Sequence, residues 1–455
     1  MRTAALTVLL AVVLRVVLGP GSIGYDASWA LEWGREAASG ALPDLEAPGA
    51  PTPHPLPNLV SVFLAPLGMR SADAVMAISW LSLGALALVS YRLGARLYSP
   101  WVGGAFAAIL VTRGLIVRET QQAIIDIPFL ALILAALAAE AHRPREGLRV
   151  PLLLLAAGLL RPEAWLLGAA WLIWAAPRGA LLRPALIVAA APVLWCLHDL
   201  VLTGDPLHSL HGTQELAAEL RRPTEVDTAI AAIPVYLRFA LGDTVFWLGL
   251  AGAAGGLLWR QERSLLPGVL TGLGLAGFLV LGVAGLPLLI RYLLLPAALL
   301  ALFAALAAFG WSTTTAGDPE RRWWIAAGAV ACGLLAVTIP GRVGDLADLR
   351  EASRPRIAAY EDLRELADLP AVRAASARCG AITIPDPRPR PLLAVWLDRS
   401  PASMTVRDRD DALVLAYAND DAARSFSLGP AGAVGLPPDA APVARNGSWL
   451  LGARC

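Results

Sequence analysis

Long apolar runs, each closed by arginine or by a glycine–proline cluster, alternate with short charged segments through the first three quarters of the chain. A run of about twenty apolar residues, wound as a helix, matches the ~30 Å hydrocarbon core of a bilayer. By that measure spans are expected at about 3–20, 71–91, 100–117, 127–141, 184–201, 243–259, 265–285, 288–310 and 323–340. Residues 150–176 are apolar apart from Arg161 and Glu163. That stretch is too long for one straight helix and short for two. Proline disfavours continuation of a helix, so two short helices broken at Arg161-Pro162 are expected there. The expected total is about eleven spans.

The short loops then fix an orientation. Arg92/Arg96, Arg143/Arg145/Arg149, Arg178/Arg183, Arg260/Arg263 and Arg321/Arg322 all fall on one side, together with Arg2, only if 150–176 counts twice. Cytoplasmic loops carry the excess of arginine, so that side and the N-terminus are expected in the cytoplasm. Span 3–20 also has the outline of a signal peptide, but Arg15 interrupts it and no A-x-A site follows, so a retained helix is expected.

Residues 21–70, 118–126 and 202–242 then face outward, as does everything after about 341. The chain thus divides into a membrane part, 1–340, and an extracytoplasmic domain, 341–455. The latter is more polar and carries a proline-rich stretch at 385–391. Ile357, Tyr360, Leu363 and Leu366 fall on one helical face, and strand-like runs occupy 380–384 and 412–417. A small mixed α/β domain is expected.

Composition agrees with a membrane protein. Of 455 residues, 57% are hydrophobic and 16% charged, and the mean hydropathy is +0.60. Soluble domains run nearer 45–50% and about 25%. An ordinary cytosolic enzyme, a disordered chain and a disulfide scaffold are excluded. The net charge of +1 gives no footprint for nucleic acid. All the basic residues are arginine, so an isolated arginine is a weak signal. Of the four cysteines, Cys196 and Cys332 lie in spans as apolar fillers, whereas Cys379 and Cys455 share the outer domain. These two can pair in an oxidising compartment, a long loop closure contributing on the order of 4 kcal/mol; the alternative is two free thiols. Gly272-Leu-Gly274-Leu-Ala-Gly277 matches a dinucleotide fingerprint, but it lies inside an apolar span and reads as helix packing.

Charges are expensive at membrane depth, so the polar groups at the outer rim are the signal to follow. Asp26 follows span 1 directly, placed to act as a general base or to cap an expected helix at 27–38. The first outer segment runs on through Glu32, Gly40 and Pro43 to His54-Pro55, and residues 58–67 are apolar but too short to span. Glu119 and Asp126 occupy the second outer turn. Asp26 and Asp126 can converge on one polar substrate or on one divalent cation such as magnesium or manganese, with His54, His208 and His211 as further ligands or as loop residues. Arg161-Pro162-Glu163 lies at the outer turn between the two short helices, and Arg291-Tyr292 opens the span at 288–310. Arginine there suits a phosphate, through bidentate hydrogen bonds; snorkelling of Arg291 and a structural Arg161–Glu163 pair are the alternatives.

The ordered set resembles the GT-C glycosyltransferases that use polyprenyl-phosphate-linked sugars, a group including protein O-mannosyltransferases and aminoarabinose lipid A transferases. The residues that carry the likeness are Tyr25-Asp26 with Trp29, Gly40, Pro43 and His54-Pro55; Glu119 with Asp126-Ile-Pro128; Leu160-Arg161-Pro162-Glu163; and Arg291-Tyr292-Leu293-Leu294-Leu295-Pro296. Together they cover roughly residues 1–310. Where family members often carry paired acids in the first loop, Ala27 follows Asp26 here. The resemblance implies a hexosyl- or pentosyltransferase that inverts the anomeric centre. Asp26 would be the base. Arg291, Tyr292 and Arg161 would hold the donor phosphate, and Glu119, Asp126, His54 and Glu163 the substrates. The acceptor would be a glycan, lipid or protein of the cell envelope. Three rivals stand beside this reading: a transporter or flippase, a non-catalytic scaffold, and a transferase-like protein without activity.

Overall fold

The computed structural model describes residues 2–179, 181–428 and 434–455. It is a multi-pass helical protein with a small sheet at its C-terminal end. In chain order the helices are α1 (Arg2–Leu18), α2 (Tyr25–Ala38), α3 (Pro55–Leu64), α4 (Ser71–Leu97), α5 (Pro100–Val111), α6 (Gly114–Gln121), α7 (Asp126–His142), α8 (Arg149–Gly158) and α9 (Glu163–Ala175). They continue as α10 (Leu182–Thr203), α11 (His208–Glu219), α12 (Val226–Leu241), α13 (Asp243–Trp259), α14 (Gln261–Val283), α15 (Leu294–Phe309) and α16 (Arg321–Asp368).

A helix lies at each expected span, and the break at Arg161-Pro162 separates α8 from α9. The expected count of about eleven is not reached by length. Among the described residues five helices are long and apolar enough to cross a membrane, or up to seven when the bent pairs α5–α6 (60°) and α12–α13 (110°) each count as one. The 17-residue helices α1 and α7 rise only about 26 Å, and the 10-residue α8 about 15 Å. The outer segments 21–70 and 202–242 are themselves largely helical, as α2, α3, α11 and α12.

Helix α15 is the axis of the bundle. Every side chain from Leu294 to Ala308 is buried, as its all-round apolar sequence requires. Close approach needs small residues: a Cβ added at Gly249 of α13 would sit 2.7 Å from the Leu300 carbonyl oxygen, and one at Gly274 of α14 2.9 Å from Pro296 Cδ. Of the three fingerprint glycines Gly274 alone packs this closely; a Cβ at Gly272 would meet nothing within 4 Å, and one at Gly277 only Leu166 Cδ2 at 3.8 Å.

The boundary expected at 340/341 is not a helix boundary. Helix α16 runs unbroken for 48 residues, roughly 72 Å, through Pro340 and Pro355. Falling hydropathy marks where apolar surface ends, and the polar stretch still forms helix, supported by Arg342–Asp345 and Glu351–Arg354 pairs one turn apart.

Beyond it lie α17 (Pro370–Arg378), β1 (Ala381–Thr383), α18 (Pro389–Leu397), β2 (Met404–Thr405), β3 (Ala412–Tyr417), α19 (Asp420–Phe426), β4 (Ala441–Arg445) and β5 (Trp449–Ala453). The strands form one sheet in the order β2-β1-β3-β5-β4. β1 is parallel to β2 and β3, and β5 is antiparallel to β3 and β4. Central β3 is buried at every position. Cys379 and Cys455 form a disulfide with Cα atoms 5.4 Å apart. The core of this region is not private. Leu363, Ile382, Leu413, Tyr417 and Trp449 form one cluster with Ile23, Ala27 and Leu31 from the first outer segment. Arg35 of α2 reaches Asp398 at 2.6 Å. The sheet is thereby seated on α2, which carries Asp26.

Candidate active site

Two glycines place the first carboxylate. The chain from α1 to α2 runs against the turn after α6, with the Gly24 amide donating to the Gln122 carbonyl at 2.8 Å. A Cβ at Gly24 would stand 2.6 Å from that oxygen, and one at Gly21 2.6 Å from Gln121 Cα. No side chain larger than hydrogen allows the approach. Asp26, second residue of α2, is thus brought beside the turn that ends at Asp126. It makes no cap hydrogen bond; the capping position is Gly24.

Asp126 opens α7, Arg161 lies in the break between α8 and α9, and Glu163 opens α9. Arg291 and Tyr292 sit in a 3-10 turn, Ile290–Leu293, ahead of α15. All eight side chains singled out in the sequence, Asp26, His54, Glu119, Asp126, Arg161, Glu163, Arg291 and Tyr292, line one cavity of about 1000 Å³. His208 and His211 are not in its lining, and His211 pairs with Asp205 at 2.6 Å.

The cavity is two-sided. Its polar floor is an alternating chain of charge. Arg161 donates from Nη2 and Nε to Glu163 at 2.6 and 3.3 Å, and from Nη1 to Asp126. Its guanidinium also stacks 4.2 Å from the Tyr292 ring centre. Each of the three Arg161 nitrogens donates to a carboxylate, so the side chain is held as a structural clamp. Arg291 differs. It lies 3.6 Å from Asp26 and 3.9 Å from Asp126, both beyond hydrogen-bond range. Its buried Nε and Asp126 Oδ2 have no hydrogen-bond partner among the described residues. The other wall is apolar, from Trp165, Leu166, Trp195, Leu207, Leu216, Val280, Leu281 and Leu289.

His54 packs edge-on to Trp195 with ring centres 5.5 Å apart. Burial first, and then the Arg161 and Arg291 charges, push its imidazole down to about 3, so it is neutral and adds no third cation. Burial also pushes Tyr25 up to about 12; its hydroxyl donates to the Gly49 carbonyl at 2.6 Å.

No group of three or more His, Cys, Asp or Glu side chains among the described residues could hold a metal ion. Asp26 and Asp126 share Arg291 between them instead. The donor set does not fit a divalent cation.

Asp199 and Arg388, absent from the expected set, also line the cavity. Asp199 had a signal, a carboxylate inside an expected span. It accepts from the Ser209 amide at 2.8 Å and the Ser209 hydroxyl at 2.9 Å, tying α10 to α11. Arg388 was hidden in the proline-rich stretch, far from the cavity in sequence.

No family model and no curated protein matches the chain. Solved structures do. ArnT from Cupriavidus metallidurans bound to undecaprenyl phosphate superimposes over 99% of this chain and 98% of its own, with a TM-score of 0.59 and 14% identity. The chain has the GT-C fold. The apo state of ArnT aligns over 99% and 97%, with a TM-score of 0.52 and 15% identity. An oligosaccharyltransferase from Archaeoglobus fulgidus aligns over 90% of this chain and 64% of its own, with a TM-score of 0.47 and 12% identity, a likeness too loose to argue from. The likeness to ArnT extends to the C-terminal end of the chain.

Proposed function

We propose that the chain is a membrane glycosyltransferase that moves a sugar from a polyprenyl-phosphate carrier to an extracytoplasmic acceptor, inverting the anomeric centre. The observation that carries this is the Asp26–Arg291 juxtaposition: a half-exposed carboxylate 3.6 Å from a guanidinium with unfilled donors, in one cavity with an apolar wall. A guanidinium suits a departing phosphate, and the apolar wall suits an isoprenoid chain. The undecaprenyl phosphate bound in ArnT, a protein of the same fold, supports a lipid-phosphate donor. The arginine-rich loops support a cytoplasmic N-terminus, and with it an outward-facing cavity, where nucleotide sugars are absent.

The chemistry balances without another reactant. Asp26 takes the proton of an acceptor hydroxyl. The oxygen attacks the anomeric carbon from the face opposite the phosphate. The bond between that carbon and the phosphate oxygen breaks, and the polyprenyl phosphate leaves with the electron pair beside Arg291. Arg291 faces the oxygen on which charge grows in the transition state. Tyr292 is held against Arg161 and shapes that side of the site. Glu119, Asp126, Glu163 and His54 remain as walls for hydroxyl groups.

The test is sugar transfer from radiolabelled polyprenyl-phosphate sugars, mannose and arabinose donors included, to envelope extract. General-base catalysis contributes about 10²–10⁴-fold, so Asp26→Asn should lose that much with the protein still folded. Equal transfer by both proteins would remove Asp26 from the mechanism. Donor binding without any turnover would point to an inactive relative, and no donor binding to a scaffold.

A further inference from the structure

Two arginines line the cavity together with Asp26, and a third lies within range of their charges. Arg118 of α6 and Arg388, just before α18, both line the cavity, next to Tyr25, Asp26 and Pro387. Arg356 of α16 is not in that lining, but the positive charges of Arg388 and Arg118 reach it. Among the described residues Arg356 and Arg388 form no ion pair, and the buried Nε of each has no hydrogen-bond partner. Arg118 has one long contact, 3.4 Å to Glu119. The charged or ionisable groups that favour the Arg388 cation include Asp386, Tyr417, Asp26 and Tyr25. Asp386 is already committed, accepting from the Tyr417 hydroxyl and from the Arg388 amide at 2.9 Å. Burial pushes the Arg388 guanidinium below its ordinary value, as expected for a cation without a full counter-charge.

Holding two partly buried guanidiniums without an ion pair beside an exposed third, Arg118, is costly, and the cost is offset when an anion enters. On the glycosyltransferase reading the donor phosphate already has Arg291, 3.6 Å from Asp26. In a displacement the acceptor approaches from the face opposite the leaving group, and the base stands with the acceptor. We propose that Arg118, Arg356 and Arg388 form a second anion subsite that binds a phosphate group carried by the acceptor. The assignment of this phosphate to the acceptor rests on the glycosyltransferase reading. The acceptor class is then a phosphorylated sugar or a phospholipid headgroup, held so that its hydroxyl meets Asp26.

Binding of labelled glucose 1-phosphate, glucose and polyprenyl phosphate to the full-length protein in neutral detergent tests the subsite. Wild type should prefer glucose 1-phosphate to glucose. Arg356→Gln and Arg388→Gln should each weaken glucose 1-phosphate by about tenfold, the loss of one charge-assisted pair, while polyprenyl phosphate changes by less than about twofold. Arg388→Lys, which keeps the charge, should recover part of the loss. No preference in wild type, unchanged binding in both variants, or an equal loss of polyprenyl phosphate would overturn the proposal. Arg291→Gln separates the two readings: it should weaken polyprenyl phosphate and spare glucose 1-phosphate. If polyprenyl phosphate is unaffected, the donor assignment fails and the phosphate subsite still stands or falls on the other variants. Displacement of glucose 1-phosphate by phosphatidylglycerol but not phosphatidylcholine in lipid discs supports a headgroup as the source. Failure of both lipids to displace it supports a soluble acceptor at the same subsite.

Discussion

Arg161 and Arg291 line the same cavity and face the same carboxylate, Asp126, yet they are held in opposite ways. Arg161 has every nitrogen on a carboxylate oxygen and its face on Tyr292. Arg291 stands between Asp26 and Asp126 with both just out of reach. The first is a closed ion cluster that fixes where α7, α8 and α9 meet. The second is a cation with capacity left for something else. In a buried polar site, unfilled hydrogen-bonding capacity separates a working group from a supporting one better than residue type or burial does.

Breaking the closed cluster should have the largest effect. Arg161→Met leaves Asp126 and Glu163 without their partner, and losing one member of a buried pair costs about 3–5 kcal/mol. Thermal unfolding in detergent should show it, and adding Asp126→Leu should recover much of the loss. A cost below about 1 kcal/mol, the value of a surface pair, would place Arg161 among the open groups. Arg291→Gln should do the reverse. Transfer should fall by about 10²–10³-fold, as when one donor to a developing oxyanion is removed, with stability closer to wild type than in Arg161→Met. Equal instability in the two variants would erase the distinction.

The neutral imidazole beside the cluster sharpens the comparison through pH. His54 has an ordinary value of 6.5 and is pushed down to about 3 in the fold. Between those values the unfolded chain binds a proton that the folded chain refuses, so stability falls as pH drops through that window. His54→Gln should flatten that fall in unfolding measured from pH 7 to 4; an unchanged slope would place the pH dependence elsewhere. The smallest effect belongs to a pair at the surface. Arg35 and Asp398 are 2.6 Å apart, but Asp398 is 88% exposed. Asp398→Asn should cost less than about 1 kcal/mol, and a larger loss would make the seating of the sheet on α2 depend on this contact.

The linear pattern of apolar and charged residues determined much of this protein by itself. It located a helix at every expected span, the break at Arg161-Pro162, strands within 380–384 and at 412–417, and eight side chains that meet in one cavity. It could do so because burying a charge in lipid is costly, and each exception to apolarity therefore stands out in one dimension. Helix lengths and ends were less legible, since hydropathy reports lipid exposure and not backbone hydrogen bonding: α16 crosses the expected boundary without a break. Only the tertiary structure decided which arginine was closed and which open. Arg161 and Glu163 are two residues apart, but Asp126, Tyr292 and Arg291 come from other helices, and ångström differences in their approach set the outcome. The structure alone also brought Arg388 into the cavity with Asp26, beside a sheet whose core includes residues more than three hundred positions away.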